Sequence, residues 1–291
     1  MKRINMIYKY TFVLISVLIL SSCEKQEQVL EDNESDQTTD STLTGVDSVF
    51  VDTDEVVPET WVYIMAGQSN MAGRGEIEFI DTITNERVQA INEFGELILA
   101  KEPIHFYEPN AAGVDCGLSF GNHMLDNVPD NVTILMIPTA VGGTSIRQWI
   151  DDEQVRGVQL LDNFRNKVQL AMTYGEIKGI LWHQGESDAS AEKILVYKDN
   201  LNEMFTVFRN IVGKPDLPIV LGELGSFSSN NNNWQLINQE MHAYSQEDQY
   251  SGVIYTQDLS DKGDNIHFNS AGQRTMGERY ASEMLSFLQL L

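Results

Sequence analysis

The chain has 291 residues, of which 42% are hydrophobic and 9% aromatic, so it carries enough apolar content to bury one large core. Its formal net charge is −24, and 31 of the 43 acidic side chains lie from Trp61 onward against 15 basic ones. This charge argues against electrostatic binding of nucleic acid or of anionic lipid.

Residues 1–22 are predicted to be a secretory signal peptide. Basic residues precede an apolar run, 12–20, that is too short and wrongly flanked for an ordinary membrane-spanning helix. The tetrapeptide LSSC at 20–23 resembles the bacterial lipobox, which implies cleavage before Cys23 and lipidation of its thiol. We therefore expect an exported bacterial lipoprotein of the cell envelope, anchored in the membrane through Cys23. The alternative is a soluble secreted protein that is cut nearby.

An acidic segment follows the predicted lipidation site. Residues 24–60 hold twelve Asp or Glu and one Lys, with few large apolar side chains, so the segment cannot bury enough surface to order itself. We expect residues 23–60 to be a flexible tether and residues 61–291 to be the globular domain. If Cys23 is acylated, Cys116 has no partner for an intramolecular disulfide, and it is interpreted as a small buried apolar residue.

From Trp61 onward, short runs rich in Val, Ile and Leu alternate with longer segments of helical period. The predicted strands are 62–65, 132–137, 179–182, 219–221 and 253–255. The predicted helices are 118–126, 158–174, 191–211, 234–244 and 271–288, and the SSNNNN segment at 228–233 is interpreted as a solvated loop. This alternation predicts an α/β fold, a three-layer αβα sandwich with a mostly parallel sheet of about five strands.

Polar clusters follow several predicted strands. The first strand is followed by GQSN (67–70), the second by TAVGGTS (139–145) and the third by HQGESD (183–188). A short loop after the fifth strand leads to DNIHF (264–268). Because ligands bind beyond the carboxyl ends of parallel strands, we expect these clusters to form a single site.

A serine nucleophile needs a base, and the base needs a group that orients it. Ser69 stands at a strand-to-helix exit, and Asp264 precedes His267 by three residues, a spacing that places both side chains on one face of a turn or short helix. The order of the three residues is one that supports a catalytic triad. The alternative for Ser69 is an ordinary helix N-cap. The histidines that lie in helical segments or lack an acid at useful spacing are His105, His123 and His242.

The same clusters offer donors for an oxyanion, which acyl transfer requires. The backbone N–H groups of Ser69 and Gly143 are candidates, and the side-chain amide of Gln184 is a third. Gln68 and Asn70 are expected to brace the turn around Ser69 through hydrogen bonds.

The remaining candidates are substrate contacts or supporting residues. Glu186 is interpreted as a substrate-contacting or supporting acid, with a buried hydrogen-bonded carboxylate as the alternative. Arg147 and Trp149 are candidates for contact with a sugar ring, although Trp149 would equally cap the core. A metal site through the His and acidic residues of HQGESD is disfavoured because no second ligand cluster accompanies it.

Four segments of the chain resemble the blocks of the SGNH hydrolase superfamily and occur in the same order as those blocks. They are GQSNMAGRG (67–75), GGTSIRQW (142–149), WHQGESD (182–188) and DNIHF (264–268). The branch that they resemble is that of the sialate O-acetylesterases and the acetylxylan esterases of carbohydrate esterase family six. The resemblance runs from residue 62 to the C-terminus. It implies a flavodoxin-like sheet and no cofactor or metal.

The resemblance also implies roles for single residues. Ser69 would be the nucleophile, His267 the general base and Asp264 its partner, with Gly143 and Gln184 completing the oxyanion hole. Gln184 stands where the broader superfamily pattern has Asn.

We therefore expect a serine-dependent carbohydrate O-acetylesterase that acts on acetylated xylan or O-acetylated sialic acid. The alternatives are an esterase for longer acyl chains and a surface lipoprotein that binds glycans without turning them over.

Overall fold

The computed structural model describes residues 57–288. The predicted signal peptide, the predicted lipidation site Cys23 and the predicted tether up to residue 56 lie outside the described residues. The first strand already begins at Glu59, two residues before the predicted start of the domain.

Seven strands form the central sheet. In chain order they are β1 (Glu59–Gly67), β2 (Val88–Ile91), β3 (Leu97–Leu99), β4 (Val132–Pro138), β7 (Glu176–His183), β8 (Ile219–Gly222) and β9 (Ser251–Ile254). A separate two-stranded hairpin consists of β5 (Gln154–Val155) and β6 (Val158–Gln159). The order in the central sheet is β3-β2-β4-β1-β7-β8-β9, and every pair is parallel except β2 with β3.

The five predicted strands are β1, β4, β7, β8 and β9. Numbered along the chain they lie in the order 2-1-3-4-5, which is the flavodoxin-like arrangement, so the predicted fold class is confirmed. In this order the connections leave β1 and β7 in opposite directions, which opens a crevice at their carboxyl ends.

The sheet is larger than predicted because β2 and β3 extend it beyond β4. These strands have four and three residues, and all three residues of β3 are exposed. So short a segment with no buried face lacks the apolar alternation that identifies a strand in a sequence.

The helices complete three layers. They are α1 (Gly117–Leu125), α2 (Ile146–Ile150), α3 (Leu160–Tyr174), α4 (Ala191–Ile194), α5 (Tyr197–Val212), α6 (Asn231–Glu247) and α7 (Ser270–Leu288). Helices α1 and α7 pack on one face of the sheet, and α3, α5 and α6 on the other. The predicted helix 191–211 is interrupted between α4 and α5, and residues 231–233 belong to α6 rather than to a loop.

The central strands are mostly apolar because both faces of the sheet are covered, and their exposed polar residues, such as Glu59 and Glu176, lie at the strand starts. In β1, Val62 and Ile64 pack against the α3, α5 and α6 layer, whereas Tyr63 and Met65 pack against the α1 and α7 layer. Cys116 is fully buried in this second layer as a free thiol. No helix within residues 57–288 combines the length and apolarity that a bilayer crossing requires.

Candidate active site

The chain leaves β1 through a turn that only glycine can begin. Gly67 has a φ of +137°, and a Cβ at this position would collide with the carbonyl oxygen of His183 in β7. The next backbone N–H, that of Gln68, donates to the same carbonyl at 2.9 Å. This close approach of β1 to β7 sets Ser69 at the carboxyl edge of the sheet.

Ser69, His267 and Asp264 form one hydrogen-bonded chain. Ser69 Oγ lies 3.0 Å from Nε2 of His267, and Nδ1 of the same ring lies 2.8 Å from Oδ2 of Asp264. The carboxylate accepts a hydrogen bond from Nδ1–H, and in this tautomer Nε2 presents its lone pair to the serine hydroxyl. The structure thus brings together the three residues of the predicted triad.

The loop that carries His267 is organised by the same carboxylate. Oδ1 of Asp264 accepts hydrogen bonds from the backbone N–H groups of Ile266 at 2.9 Å and His267 at 2.8 Å. Burial acts to raise the Asp264 pKa, but the hydrogen bonds from the His267 side chain and from the two backbone groups outweigh it and lower the pKa to about 2. The carboxylate therefore stays ionised at any physiological pH.

Asn70 connects this loop to the serine turn. Its Nδ2 donates to the carbonyl of Ile266 at 3.1 Å, and its Oδ1 accepts from the backbone N–H of Phe268 at 3.1 Å. The two bonds bracket His267 on either side. The same Nδ2 donates to Oε1 of Glu186 at 2.6 Å. Asn70 is fully buried, so it supports the site rather than contacting a substrate.

Two backbone N–H groups of residues that line the cleft are open. Within residues 57–288, neither the Ser69 nor the Gly143 N–H donates to another group. Gly143 has a φ of +78° and lines the same cleft as Ser69 and His267. Such unoccupied amides facing a cleft are suited to binding a developing oxyanion.

Gln184 does not provide the third donor that the sequence suggested. Its Nε2 lies 2.6 Å from Asp188 Oδ2, 3.1 Å from Gln68 Oε1 and 3.1 Å from the Thr144 carbonyl. Three acceptors around one end of the amide identify that end as the NH2 group and occupy both of its protons. The side chain is fully buried outside the cleft, so Gln184 braces the floor of the site.

Gln68 presents a free amide instead. Its Oε1 accepts from Gln184 Nε2 at 3.1 Å and from the Ser187 N–H at 3.4 Å, which turns its NH2 group the other way. That NH2 donates to no acceptor in the described part of the chain, and Gln68 lines the cleft directly before Ser69.

Neither Arg147 nor Trp149 reaches the cleft, which corrects their prediction as sugar contacts. Trp149 is fully buried and packs edge-to-face against Trp182, with 5.7 Å between ring centroids. Its Nε1 donates to Thr144 Oγ1 at 3.0 Å, so the core alternative for Trp149 is the correct one. Arg147 is exposed on α2 and pairs with Asp151, the residue directly after that helix, and with Glu203 of α5.

Glu186 lines the cleft with a side chain that is only 7% exposed. Its Oε1 is held by Asn70, and its Oε2 has no hydrogen-bond partner among the described residues. Burial lowers the pKa of His183, whose Nδ1 lies 3.9 Å from Glu186 Oε1. Across residues 57–288, no group of His, Cys, Asp or Glu side chains has an arrangement that would hold a metal ion.

Sequence reasoning missed other residues in and beneath this region. The cleft has a volume of about 350 Å³, and the lining residues to which the sequence assigned no role include Arg74, Glu108 and Arg156. His105 does have an acid partner, because its Nδ1 lies 2.8 Å from Oδ2 of the buried Asp115. Arg74 belongs to the GQSNMAGRG block and was therefore detectable, whereas the others come from segments without a motif.

The comparisons with known proteins agree with this geometry. The family described as carbohydrate esterase, sialic acid-specific acetylesterase, matches residues 59–286. A probable carbohydrate esterase of Arabidopsis thaliana is 30% identical in an alignment of 190 residues, and the match covers 56% of this chain and 68% of that protein. An X-ray structure of a protein from Arabidopsis thaliana superposes with a TM-score of 0.69 at 25% identity, covering 79% of this chain and 99% of that one.

Two more distant structures share the fold. NanS superposes with a TM-score of 0.66 at 16% identity, covering 81% of this chain and all of that one. A carbohydrate acetylesterase from Xanthomonas citri gives 0.59 at 18% identity, covering 77% of this chain and 55% of that one.

The fold and the family match define a carbohydrate esterase. The chain belongs to the carbohydrate esterase, sialic acid-specific acetylesterase family. The family predicted from the four sequence blocks is confirmed, and the protein is a hydrolase of carboxylic ester bonds.

Proposed function

We propose that the protein is a serine-dependent carbohydrate O-acetylesterase that works through an acetyl-serine intermediate. The observation that carries this proposal is the continuous chain from Ser69 Oγ through His267 to an ionised Asp264, which opens into a cleft beside two free backbone amides. A binding protein has no need of a base hydrogen-bonded to a serine.

The proton path follows from the hydrogen bonds. His267 Nε2 takes the proton of Ser69 as Oγ attacks the acetyl carbonyl carbon, and Asp264 stabilises the imidazolium that forms. The tetrahedral intermediate collapses, the sugar hydroxyl leaves with the proton from Nε2, and acetyl-serine remains. Water then loses its proton to the same Nε2 and attacks the acetyl group, which releases acetate and restores the serine.

The charge that develops on the carbonyl oxygen would be stabilised by the N–H groups of Ser69 and Gly143. Gln68 directly precedes the nucleophile and has a free NH2 group. We assign to this group the role of third oxyanion donor, because the NH2 group of Gln184 is already hydrogen-bonded. Preorganised donors of this kind each contribute about 10²- to 10³-fold to the rate.

An acetylated glycan is the substrate class that the family and the cleft support. The lining is mostly polar and charged, and Ile266 is its one large apolar side chain. A long acyl chain would need a continuous apolar channel, whereas an acetyl group does not.

The test is acetate release by the purified protein and by its Ser69→Ala variant. The substrates are 4-nitrophenyl acetate, acetylated xylan and O-acetylated sialic acid, with 4-nitrophenyl octanoate as the long-chain control. We expect kcat on the acetyl esters to fall by about 10⁴-fold or more in the variant, as when a triad serine is removed. The matched control is Ser286→Ala, an exposed serine on α7, which should leave the rates unchanged. Comparable acetate release by Ser69→Ala would refute the mechanism.

A further inference from the structure

The backbone next to Gly143 is held by side chains from two distant segments. Glu108 Oε2 accepts a hydrogen bond from the backbone N–H of Gly142 at 2.6 Å, and Arg156 Nε donates to the Gly142 carbonyl at 2.9 Å. Both polar groups of this one residue are therefore bound by side chains. These four residues line the same cleft as Ser69.

The bond from Arg156 acts on the peptide group that supplies an oxyanion donor. The carbonyl of Gly142 and the N–H of Gly143 belong to one peptide, which is trans. In a planar trans peptide the C=O and the N–H point in opposite directions, so a hydrogen bond that fixes the carbonyl also fixes the direction of the N–H. A charged donor on the carbonyl also polarises the peptide, which makes its N–H a stronger donor.

Glu108 keeps the guanidinium of Arg156 within reach of that carbonyl. Its Oε1 lies 3.2 Å from Arg156 Nε, and its Oε2 lies 2.8 Å from Arg74 Nη2. The side chains of Glu108 and Arg74 are buried, whereas that of Arg156 is 56% exposed. A half-exposed arginine has many rotamers, so the buried pair is the anchor that restricts it.

Gly142 is the residue that lets this cluster approach the backbone. A Cβ at position 142 would collide with Arg74 Nη2 and would lie 2.5 Å from Glu108 Oε2. The next glycine meets a different requirement, because the φ of Gly143, +78°, lies in the left-handed region. The two glycines of the GGTS segment thus serve one arrangement, in which the first admits the ion pair and the second takes the conformation of the donor residue.

Arg156 keeps its position against its backbone preference. It is the first residue of the two-residue turn between β5 and β6, with a φ of +50°, and Gly157 follows at +85°. A turn of this kind favours Asn followed by Gly, and a long side chain is disfavoured in the left-handed region. Such a conformational cost at a residue that lines a cleft is typical of a functional constraint.

We propose that Arg156 and Glu108 are positioning residues of the oxyanion hole, which fix and polarise the peptide between Gly142 and Gly143 so that the Gly143 N–H meets the developing oxyanion. This inference rests on the proposed function. In this arrangement neither side chain touches the reacting atoms or transfers a proton, and Arg74 anchors Glu108. Their effect falls on the transition state rather than on the binding of substrate.

The variant Arg156→Asn separates positioning from stability. Asparagine ends one bond short of the Nε position and carries no charge, but Asn followed by Gly is the preferred sequence for this turn, so Tm should stay at or above the wild-type value. On 4-nitrophenyl acetate we expect kcat/KM to fall by about 10- to 100-fold, which is no more than the loss of an oxyanion donor itself. The Ki of methylboronic acid, which binds a serine nucleophile as a tetrahedral anion, should rise by a similar factor.

The variant Glu108→Gln tests the second positioning residue. It retains an oxygen that can accept the Gly142 N–H but removes the charge that holds Arg156, and we expect kcat/KM to fall by about tenfold. The double variant with Arg156→Asn should lose far less activity than the product of the two single losses, because both side chains act through one peptide.

Two exposed ion pairs supply the matched controls. Arg165→Gln removes an arginine on α3 that pairs with Asp162, and Glu203→Gln removes a carboxylate on α5 that pairs with Arg147. Both should keep the wild-type kcat/KM, Ki and Tm, since exposed ion pairs contribute little.

Three results would overturn the inference and leave the esterase proposal standing. The first is a wild-type kcat/KM and Ki in Arg156→Asn, and the second is a double variant in which the single losses multiply in full. The third is a rise of KM in Arg156→Asn with kcat and Ki unchanged, which would make Arg156 a substrate contact. If the wild type releases acetate neither from 4-nitrophenyl acetate nor from an acetylated glycan, the proposed function itself fails.

Discussion

Replacing Asn70 by alanine tests whether the serine turn and the histidine loop are positioned by one side chain. The substitution removes three hydrogen bonds, to the Ile266 carbonyl, the Phe268 N–H and Glu186 Oε1. The first two hold the backbone on either side of His267. We expect the imidazole to lose its fixed position relative to Ser69 Oγ, although neither residue of that pair is changed.

The magnitude follows from burial. Each lost hydrogen bond contributes about 1 kcal/mol net, and the buried Glu186 carboxylate loses the one donor it has within residues 57–288, which costs about 1–2 kcal/mol more. The free energy of unfolding should therefore fall by roughly 4–5 kcal/mol, or a Tm decrease of about 10–15 °C for a domain of this size. A displacement of the base by about 1 Å lowers kcat by about 100-fold.

The assay measures kcat and KM on 4-nitrophenyl acetate at a temperature at which the variant is folded, together with Tm by circular dichroism. Asn127→Ala is the matched control, because this exposed amide only donates to the His123 carbonyl, and we expect a change within about 0.5 kcal/mol. Asn70→Asp retains the shape but sets a second carboxylate against Glu186, so it should be no more active than Asn70→Ala. If Asn70→Ala loses stability but keeps kcat within threefold of wild type, the side chain does not position His267 and the reasoning is wrong.

Two further substitutions test the electrostatics and the core. Because the folded-state pKa of Asp264 is lowered from 3.8 to about 2, its carboxylate stabilises the fold above pH 4 and this contribution is lost as the pH falls toward 2. In acid titrations followed by circular dichroism, the stability difference between wild type and Asp264→Asn should be constant above about pH 5 and shrink toward pH 2; a difference that grows on acidification would contradict the assigned pKa. Trp149→Phe leaves a partly empty site beside Trp182 and removes the bond to Thr144, so it should lower the free energy of unfolding by about 2–3 kcal/mol. Its KM for an acetylated glycan should stay at the wild-type value, and a selective rise in that KM would return Trp149 to the substrate contacts.

Much of the fold was accessible to sequence reasoning because the relevant signals are local. Runs of apolar residues identify β1, β4, β7, β8 and β9, since the buried part of each strand is covered on both faces. Strands β2 and β3 were missed because runs of four and three residues carry too little of that pattern, and β3 is also exposed at the edge of the sheet.

The candidate site divides in the same way. Asp264 and His267 meet within one turn, and Ser69 follows a strand that ends at a glycine, so short stretches of sequence were enough to nominate them. Which glutamine has a free side-chain amide was decided instead by distant residues. Asp188 and the Thr144 carbonyl accept hydrogen bonds from the Gln184 NH2 group, so the NH2 group that remains free at the cleft is that of Gln68.

The sequence by itself determined the five central strands, the carboxyl edge at which the polar clusters gather and the residues nominated for the triad, because each depends on the period of a strand or on neighbours a few positions away. Only the tertiary structure decided that Arg156 reaches the cleft, that Trp149 lies in the core and that Gln184 supports the site from below. Those outcomes depend on which groups fold back against a side chain from distant segments, such as Glu108 against Arg156, and no local pattern in the chain records them.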